Sequence, residues 1–366
     1  MTIGSAGRTR GRVTLRDVAQ AAGVSKTVAS RALAGYNDVA EATRDRVTMT
    51  ARDLGYRAST RARALAAGKD APARCGVAVL GMTSREFGQS FYGPVLTGIA
   101  AQAAVEGMDV HLVSVPGRPE DCREMLAHLV AEDRADGFIL LTFFPLTPED
   151  IRPLADAAMP FVLANRHLGN HPAYCVTPDW AGATQRAVER LTALGHRRLG
   201  LLLPDSSVST VRDHEQGWCA AVAQYPVERA PVMHYREPDG AGGYHLALTT
   251  LREGLSAEGA ALTALVCFND YCAHGVLQAA RELGVRVPDR LSLVSFDDVI
   301  AAYTTPPLCS FDPNLHEVGA AAVTLLRRAL NGETPGPGRL TLPLPLRWRE
   351  SCAPAPSTLR YQTAGD

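Results

Sequence analysis

TLRDVAQAAGVSKTVASRAL, residues 14–33, decides how the rest of the chain is read. Leu15, Val18, Ala19 and Ala22 recur at helical spacing and share one apolar face. Thr14 is placed to cap that helix, with Asp17 three residues on, close to a capping-box pattern. Gly23 ends the helix, because a left-handed backbone costs glycine almost nothing. Ser25 then caps a second helix whose buried side is Val28, Ala29, Ala32 and Leu33. Lys26, Thr27, Ser30 and Arg31 remain on its outer side. This is the layout of a helix–turn–helix, whose second helix enters the major groove and reads base edges with its N-terminal residues. Lys26 and Thr27 are the candidates for base contact, and Ser30 and Arg31 for base or phosphate contact. A small amphipathic helix pair with a solvated polar face has the same pattern, so the flanking sequence has to decide.

Working outward, Glu41 to Leu54 reads as a third helix with Val47, Ala51 and Leu54 turned to the first two, and Tyr56 packing back on them. Residues 1–12 are small, polar and basic and read as a flexible arm. Residues 13–57 thus form an all-α head. STRARALAA, 59–67, lies in a linker spanning 58–73 and carries Arg61, Arg63 and an exposed-looking Leu65. A short isolated helix is unstable in water, so this piece is expected to fold only against DNA and a second copy. A leucine there suits a wedge between base steps in the minor groove. An ordinary linker helix has the same pattern.

Charge follows this division. Residues 1–74 carry 14 Lys+Arg against 6 Asp+Glu, and the remainder 23 against 32, although the whole chain sums to −1. A basic head on an acidic body is the balance of a nucleic-acid-binding module joined to a separate regulatory domain. Eight cysteines are scattered with no CxxC pair, which reads as free thiols in a reduced, cytoplasmic protein. No run of residues is apolar enough for a signal peptide or a membrane span.

From Cys75 the pattern alternates strand and helix. CGVAVLG (75–81), MDVHLVSV (108–115), GFILLTF (137–143) and PFVLAN (160–165) form one set of strands. RRLGLLLP (197–204), Val232–Tyr235, ALVCFND (264–270) and LSLVSFDD (291–298) form another. Such alternation implies parallel sheets covered on both faces. Two sets imply an α/β body of two Rossmann-like lobes over 74–356, with a disordered tail at 357–366. Ligands of open parallel sheets sit beyond the carboxyl ends of the strands, so two facing lobes make a cleft. Those ends and the following loops hold Met82 to Ser90, Phe143, Phe144, Asn165, Arg166, Asp205 to Arg212, Asn269, Asp270, Asp297 and Asp298, with Phe91 and Tyr92 just beyond the first loop. Amides, acids, arginine and aromatics at one mouth suit a small polyol such as a sugar or nucleoside. Helix capping is the alternative role for Asp270 and Asp298, and core packing for Tyr92.

Enzyme chemistry finds little support. No GxGxxG follows the first strand, GQSFYG (88–93) lacks the spacing of a nucleophile elbow, and no strand end offers a Ser–His–acid set. No catalytic residue, metal site or cofactor is expected. His167 and His171 are four apart in HLGNH and read as surface histidines. A transport solute-binding protein is the other alternative, against which stand the basic head and the missing signal peptide.

TLRDVAQAAGVS, SRAL, VAEATRDRV, RARALA, LTALGHRRLGLL, CFNDYCAHGVLQAARELGVRVPDRLSLVSFDD and PPLCSF together resemble the lactose-repressor/galactose-repressor (LacI–GalR) family of bacterial transcription regulators. The resemblance covers roughly residues 13–353. It implies a homodimer on a pseudo-palindromic double-stranded operator, with the recognition helices in major grooves and paired hinge helices in the minor groove, where Leu65 is the lever. It implies a body with the fold of a type I periplasmic binding protein and a small effector in the cleft, lined by Phe91, Asn165, Asn269 and Asp297. This chain departs from the family pattern in places. Val28–Ala29 replaces Thr–Val, Ala40 a serine cap, Ala58 a proline, and Asn165 an aspartate. His214 stands at the position of the effector-contacting arginine, with Arg212 as the nearest substitute.

Overall fold

The computed structural model describes residues 15–33, 39–54, 73–80, 92–115, 121–132, 135–142, 144–236, 239–256, 261–333 and 338–356. Thr14, Tyr56, Arg61, Arg63, Leu65, Met82 to Ser90, Phe91 and Phe143 lie outside them, as do the arm, the hinge helix and the tail. The chain divides into two compact units, residues 1–72 and 73–366.

Among the described residues, three helices form the first unit: α1 (Leu15–Ala21), α2 (Lys26–Leu33) and α3 (Glu41–Asp53). Gly23 takes a φ of +67°, and the Val24 amide returns to the Ala19 carbonyl at 2.9 Å, which closes α1. Ser25 caps α2 by accepting from the Val28 amide at 3.2 Å. Val18, Ala19, Ala22, Ala29, Ala32, Val47 and Ala51 are buried between the helices. The small side chains let the helices approach closely but make a slight core. Leu54 is turned partly to solvent rather than onto this core. It is the residue after α3, where the backbone leaves the helical face that Val47 and Ala51 share. Ala40 gives α3 no side-chain cap.

The second unit contains two six-stranded sheets. Strands β1 (Ala73–Leu80), β2 (Met108–Val115), β3 (Gly137–Thr142), β4 (Phe161–Ala164), β5 (Tyr174–Pro178) and β11 (Arg339–Leu342) make the first, in the order β11-β5-β4-β3-β1-β2. Strands β6 (Leu199–Pro204), β7 (Val232–Tyr235), β8 (Ala264–Cys267), β9 (Ser292–Phe296), β10 (Cys309–Phe311) and β12 (Leu346–Arg347) make the second, in the order β12-β10-β9-β8-β6-β7. All pairings are parallel except β10 with β12. The central strands are buried along their length, as a sheet covered on both faces requires.

Helices α4 (Tyr92–Val105), α5 (Cys122–Glu132) and α6 (Arg152–Asp156) flank the first sheet. Helices α7 (Trp180–Ala193), α8 (Ser209–Gln224), α9 (Asp239–Ser256) and α10 (Asp270–Glu282) flank the second. The last helix, α11 (Leu315–Leu330), goes back to the first lobe and packs on α4. Their backbones nearly touch: a Cβ added at Gly319 would lie 2.1 Å from the Val95 carbonyl oxygen. The chain therefore passes between lobes three times, after β5, after β10 and after β11. Two successive strand–helix sets imply a single passage. The return of α11 and β11 rests on contacts between residues more than a hundred apart, which local periodicity does not encode.

Candidate functional site

The carboxyl ends of β4, β6, β8 and β9 meet at a cavity of about 270 Å³ between the lobes. Tyr92, Asn165 and Arg166 line it from the first lobe. Pro204, Ser206, Val208, Thr210, His214, Phe268, Asn269, Tyr271, Asp297 and Val299 line it from the second, with Trp180 at the passage between them. Of the sequence candidates, Tyr92, Asn165, Arg166, His214, Asn269 and Asp297 are thus brought together. Arg212 is not. It is exposed on α8, and its guanidinium donates to the Ser207 carbonyl at 2.9 Å. One helical residue is about 100° of rotation, so 212 and 214 point to different sides. His214 alone of the two reaches the cavity.

Backbone strain aims two of these side chains. Asn165 has a φ of +58° and Asp297 of +90°, both left-handed and both directly after a strand. Non-glycine residues in that region cost roughly 1 kcal/mol or more and persist where the surroundings hold them. Here the strand ends on one side and the cavity on the other do so. Tyr92 is buried, and its hydroxyl donates to the Thr142 carbonyl at 3.0 Å, so it packs in the core and lines the cavity at once.

Asn165 Oδ1 accepts from Trp180 Nε1 at 3.2 Å. The indole N–H is a donor only, so the amide oxygen faces it and the amide NH2 is left to donate elsewhere. Asn269 caps α10, its Oδ1 accepting from the Cys272 amide at 2.9 Å, and it too keeps its NH2. The Asn269 side chain, rather than Asp270, is therefore the cap. Asp270 instead accepts from the Ser295 and Ser310 hydroxyls at 2.6 and 2.8 Å and from the Val299, Ile300 and Ala301 amides at 2.7, 3.1 and 3.1 Å. It fixes the loop after β9 and with it Asp297. Asp298 pairs with Arg349 at 2.6 Å and caps no helix. Burial, with the neighbouring Asp270, holds the Asp297 carboxyl well above the usual range, while Arg166 pulls it down.

His214 is buried among rings. Trp180 and Phe268 each lie 5.3 Å from it, centroid to centroid, and Phe296 4.5 Å. Its Nδ1 is 2.8 Å from Thr184 Oγ1. Burial pulls its pKa down to about 3, so the ring is neutral near pH 7. Sequence reasoning missed Trp180, Phe268 and Tyr271. Trp180 follows β5, a strand too short to stand out, while Phe268 and Tyr271 flank Asn269 and were within reach of the strand-end rule.

Beside the cavity the lobes are tied together. Asp213 on α8 accepts from His167 Nε2, 3.1 Å from both carboxylate oxygens, and from Arg339 of β11 at 2.9 Å. The His167 amide also donates to Ser209 Oγ at 3.1 Å. The Asp213 side chain is 5% exposed and that of His167 11%. His167 is thus no surface histidine: it joins the first lobe to the second. His171 accepts from the Ala173 amide at 3.1 Å and stays within its loop.

In the first unit, Lys26, Thr27 and Arg31 are exposed and Ser30 is half-buried. The base-contact candidates therefore stand on the outer face of α2, away from its core.

Two family models match the chain: bacterial regulatory proteins of the lacI family over residues 14–59, and a periplasmic binding protein-like domain over residues 188–352. An uncharacterized HTH-type transcriptional regulator in the aml 5' region of Streptomyces limosus is 32% identical over 333 residues, 87% of this chain and 89% of its own length. The HTH-type transcriptional regulator AscG of Escherichia coli K12 is 29% identical over 81% of this chain and 86% of its own. Among solved structures, the lac repressor dimer bound to operator and the anti-inducer ONPF superposes with a TM-score of 0.69 at 26% identity, covering 94% of this chain and 100% of that one. A transcriptional regulator CelR–cellobiose complex superposes at 0.66 and 26%, covering 93% and 100%.

Proposed function

The chain belongs to the LacI family of DNA-binding transcription regulators, and on that premise we propose that it is an operator-binding repressor whose DNA affinity is set by a small molecule held between its lobes. One observation carries this reading: a capped helix with Lys26, Thr27 and Arg31 exposed is joined in one chain to a body enclosing a polar, aromatic-walled cavity. Lys26 and Thr27 read base edges, while Ser30 and Arg31 contact bases or phosphates. Residues 13–57 are the reader, 58–73 the hinge and 74–356 the effector-binding and dimerisation body. Arg61, Arg63 and Leu65 act in the minor groove, and Thr14 and Tyr56 complete the head.

The effector is a sugar or nucleoside. It binds one arrangement of the lobes better than another and so shifts the population of dimers able to hold both hinges on DNA. The body pairs as a homodimer. Supporting this, edge strand β2 leaves Val110 and Leu112 exposed, the end of α4 leaves Val105 exposed, and the second lobe exposes Tyr303 and Trp348. The protein works in the cytoplasm, where its DNA is. Among the described residues no helix is long and apolar enough to cross a membrane.

The test is selection of binding sites from a random duplex library with the full chain. A pseudo-palindromic site is expected to be enriched. Binding to it should weaken with salt by about −0.9 in log–log slope per phosphate neutralised. Failure to enrich any site, or an affinity indifferent to salt, overturns the proposal.

A further inference from the structure

The protonation of His214 follows from its neighbours. Thr184 Oγ1 lies 2.9 Å from the Trp180 carbonyl and 2.8 Å from His214 Nδ1. A hydroxyl has one proton, and a carbonyl can only accept. Both contacts are hydrogen bonds in one arrangement alone: Thr184 donates to Trp180, and Nδ1–H donates to Thr184. A neutral ring with its proton on Nδ1 has a bare lone pair on Nε2. The residue is 1% exposed, and its ring lines the cavity. Among the described residues no protein donor meets Nε2. Asp213, next in the chain, is engaged by His167 and Arg339.

Two amides of the cavity are constrained in sense as well. The amides of Asn165 and Asn269 each turn an oxygen lone pair to Trp180 or Cys272, which leaves their NH2 groups to donate. Arg166 is the cation lining the cavity; it pulls the Asp297 carboxyl down, but burial and Asp270 keep that carboxyl well above the usual range. An anionic group at the His214 end would face a lone pair and aromatic rings, with no charge to meet it.

We infer that His214 is the specificity-determining residue of the cavity: it takes an O–H or N–H donor from an uncharged sugar or nucleoside seated between Trp180 and Phe268, and it rejects the phosphorylated form of the same ligand. This deepens the effector reading above and rests on it.

The test uses the full chain and matched pairs of probes: ribose and ribose 5-phosphate, glucose and glucose 6-phosphate, adenosine and AMP, cytidine and CMP. Thermal shift identifies a binder, and calorimetry measures it. A neutral member is expected to bind at least about tenfold tighter than its phosphate. Two variants separate the acceptor from the packing. His214→Asn keeps a donor toward Thr184 and loses the cavity acceptor, so affinity should fall about tenfold or more. His214→Gln keeps an acceptor near the Nε2 position and should restore most of it. Circular dichroism melts confirm that both are folded. A phosphate that binds as well as its neutral partner overturns the inference, as does an affinity equal in the Asn variant and the parent. So does a panel in which nothing binds. Operator binding by fluorescence anisotropy on the same samples tells the two failures apart. If it persists, only the ligand assignment falls; if it is absent, the regulator reading falls as well.

Discussion

Replacing Asp213 with Asn is expected to loosen the two lobes by about 2 kcal/mol. The carboxylate accepts from His167 and from Arg339, both of the other lobe, and its side chain is 5% exposed. Hydrogen bonds to a charged group contribute roughly 1.5–3 kcal/mol each. Asn keeps the shape and one acceptor oxygen, so one of the two partners is retained in weakened form. Arg339 is about a third exposed (36%), so its share is discounted for solvent screening. What remains is about 2 kcal/mol, or roughly thirtyfold in the ratio of separated to joined lobes, at 1.36 kcal/mol per decade. The tryptophans give a readout. The chain has three: Trp180 at the cavity is 3% exposed, Trp218 in the second lobe 2%, and Trp348 47%. In a Trp348→Phe background, acrylamide quenching reports Trp180 as the lobes part. Asp213→Asn should raise the quenching constant and weaken effector binding by up to the same factor. Unchanged quenching together with unchanged affinity would refute the idea that this contact holds the lobes.

Further expectations concern packing, protons and DNA. Gly319→Ala drives a Cβ to 2.1 Å from the Val95 carbonyl, so α11 has to shift off α4. It should lower stability to urea by about 1–3 kcal/mol, and a midpoint within error of the parent would contradict the crossing described. Burial lowers His214 to about 3 and pulls His196 down as well, from an ordinary value near 6.5. The unfolded chain then binds more protons than the native one between those values, so stability is fully present above about 6.5 and is lost as pH falls toward 3. His214→Asn should remove one proton from that slope, up to 1.36 kcal/mol per pH unit, in urea midpoints compared at pH 7.5, 5.5 and 4.5. Parallel slopes would speak against a neutral His214. The raised carboxyls of Asp270 and Asp297 act in the opposite sense and are common to both proteins. Finally, Lys26→Ala with Arg31→Ala should flatten the salt dependence of operator binding by up to about 0.9 in slope for each phosphate no longer neutralised. Effector affinity should stay put, and a change there would mean that the variant disturbs more than the DNA face.

Much of this architecture is legible in the sequence. Gly23 and Ser25 are read correctly because caps and left-handed turns are local chemistry. The β–α alternation finds β1 to β4 and β6 to β9 because buried parallel strands are short apolar runs. It overlooks β5, five residues ending in Pro178, and β10, three residues long, since neither gives periodicity a run to act on. The strand-end rule gathers Asn165, Asn269 and Asp297 at one mouth. It also admits Arg212, which the phase of α8 turns outward. The roles of Asp270, His167 and His214 are set by partners 25 to 46 residues away or by ring packing. No local pattern carries that information.

The triple passage between lobes bears on how the molecule comes off the ribosome. Neither sheet can be completed in order of synthesis: the first lacks its outermost strand until Arg339–Leu342 emerges, and the second until Leu346–Arg347. The reader, whose described helices end at Asp53, therefore emerges long before the strands that complete the two sheets. A polypeptide cut short before Arg339 would have its reader but two incomplete sheets, a substrate for chaperones and proteases rather than an unregulated repressor.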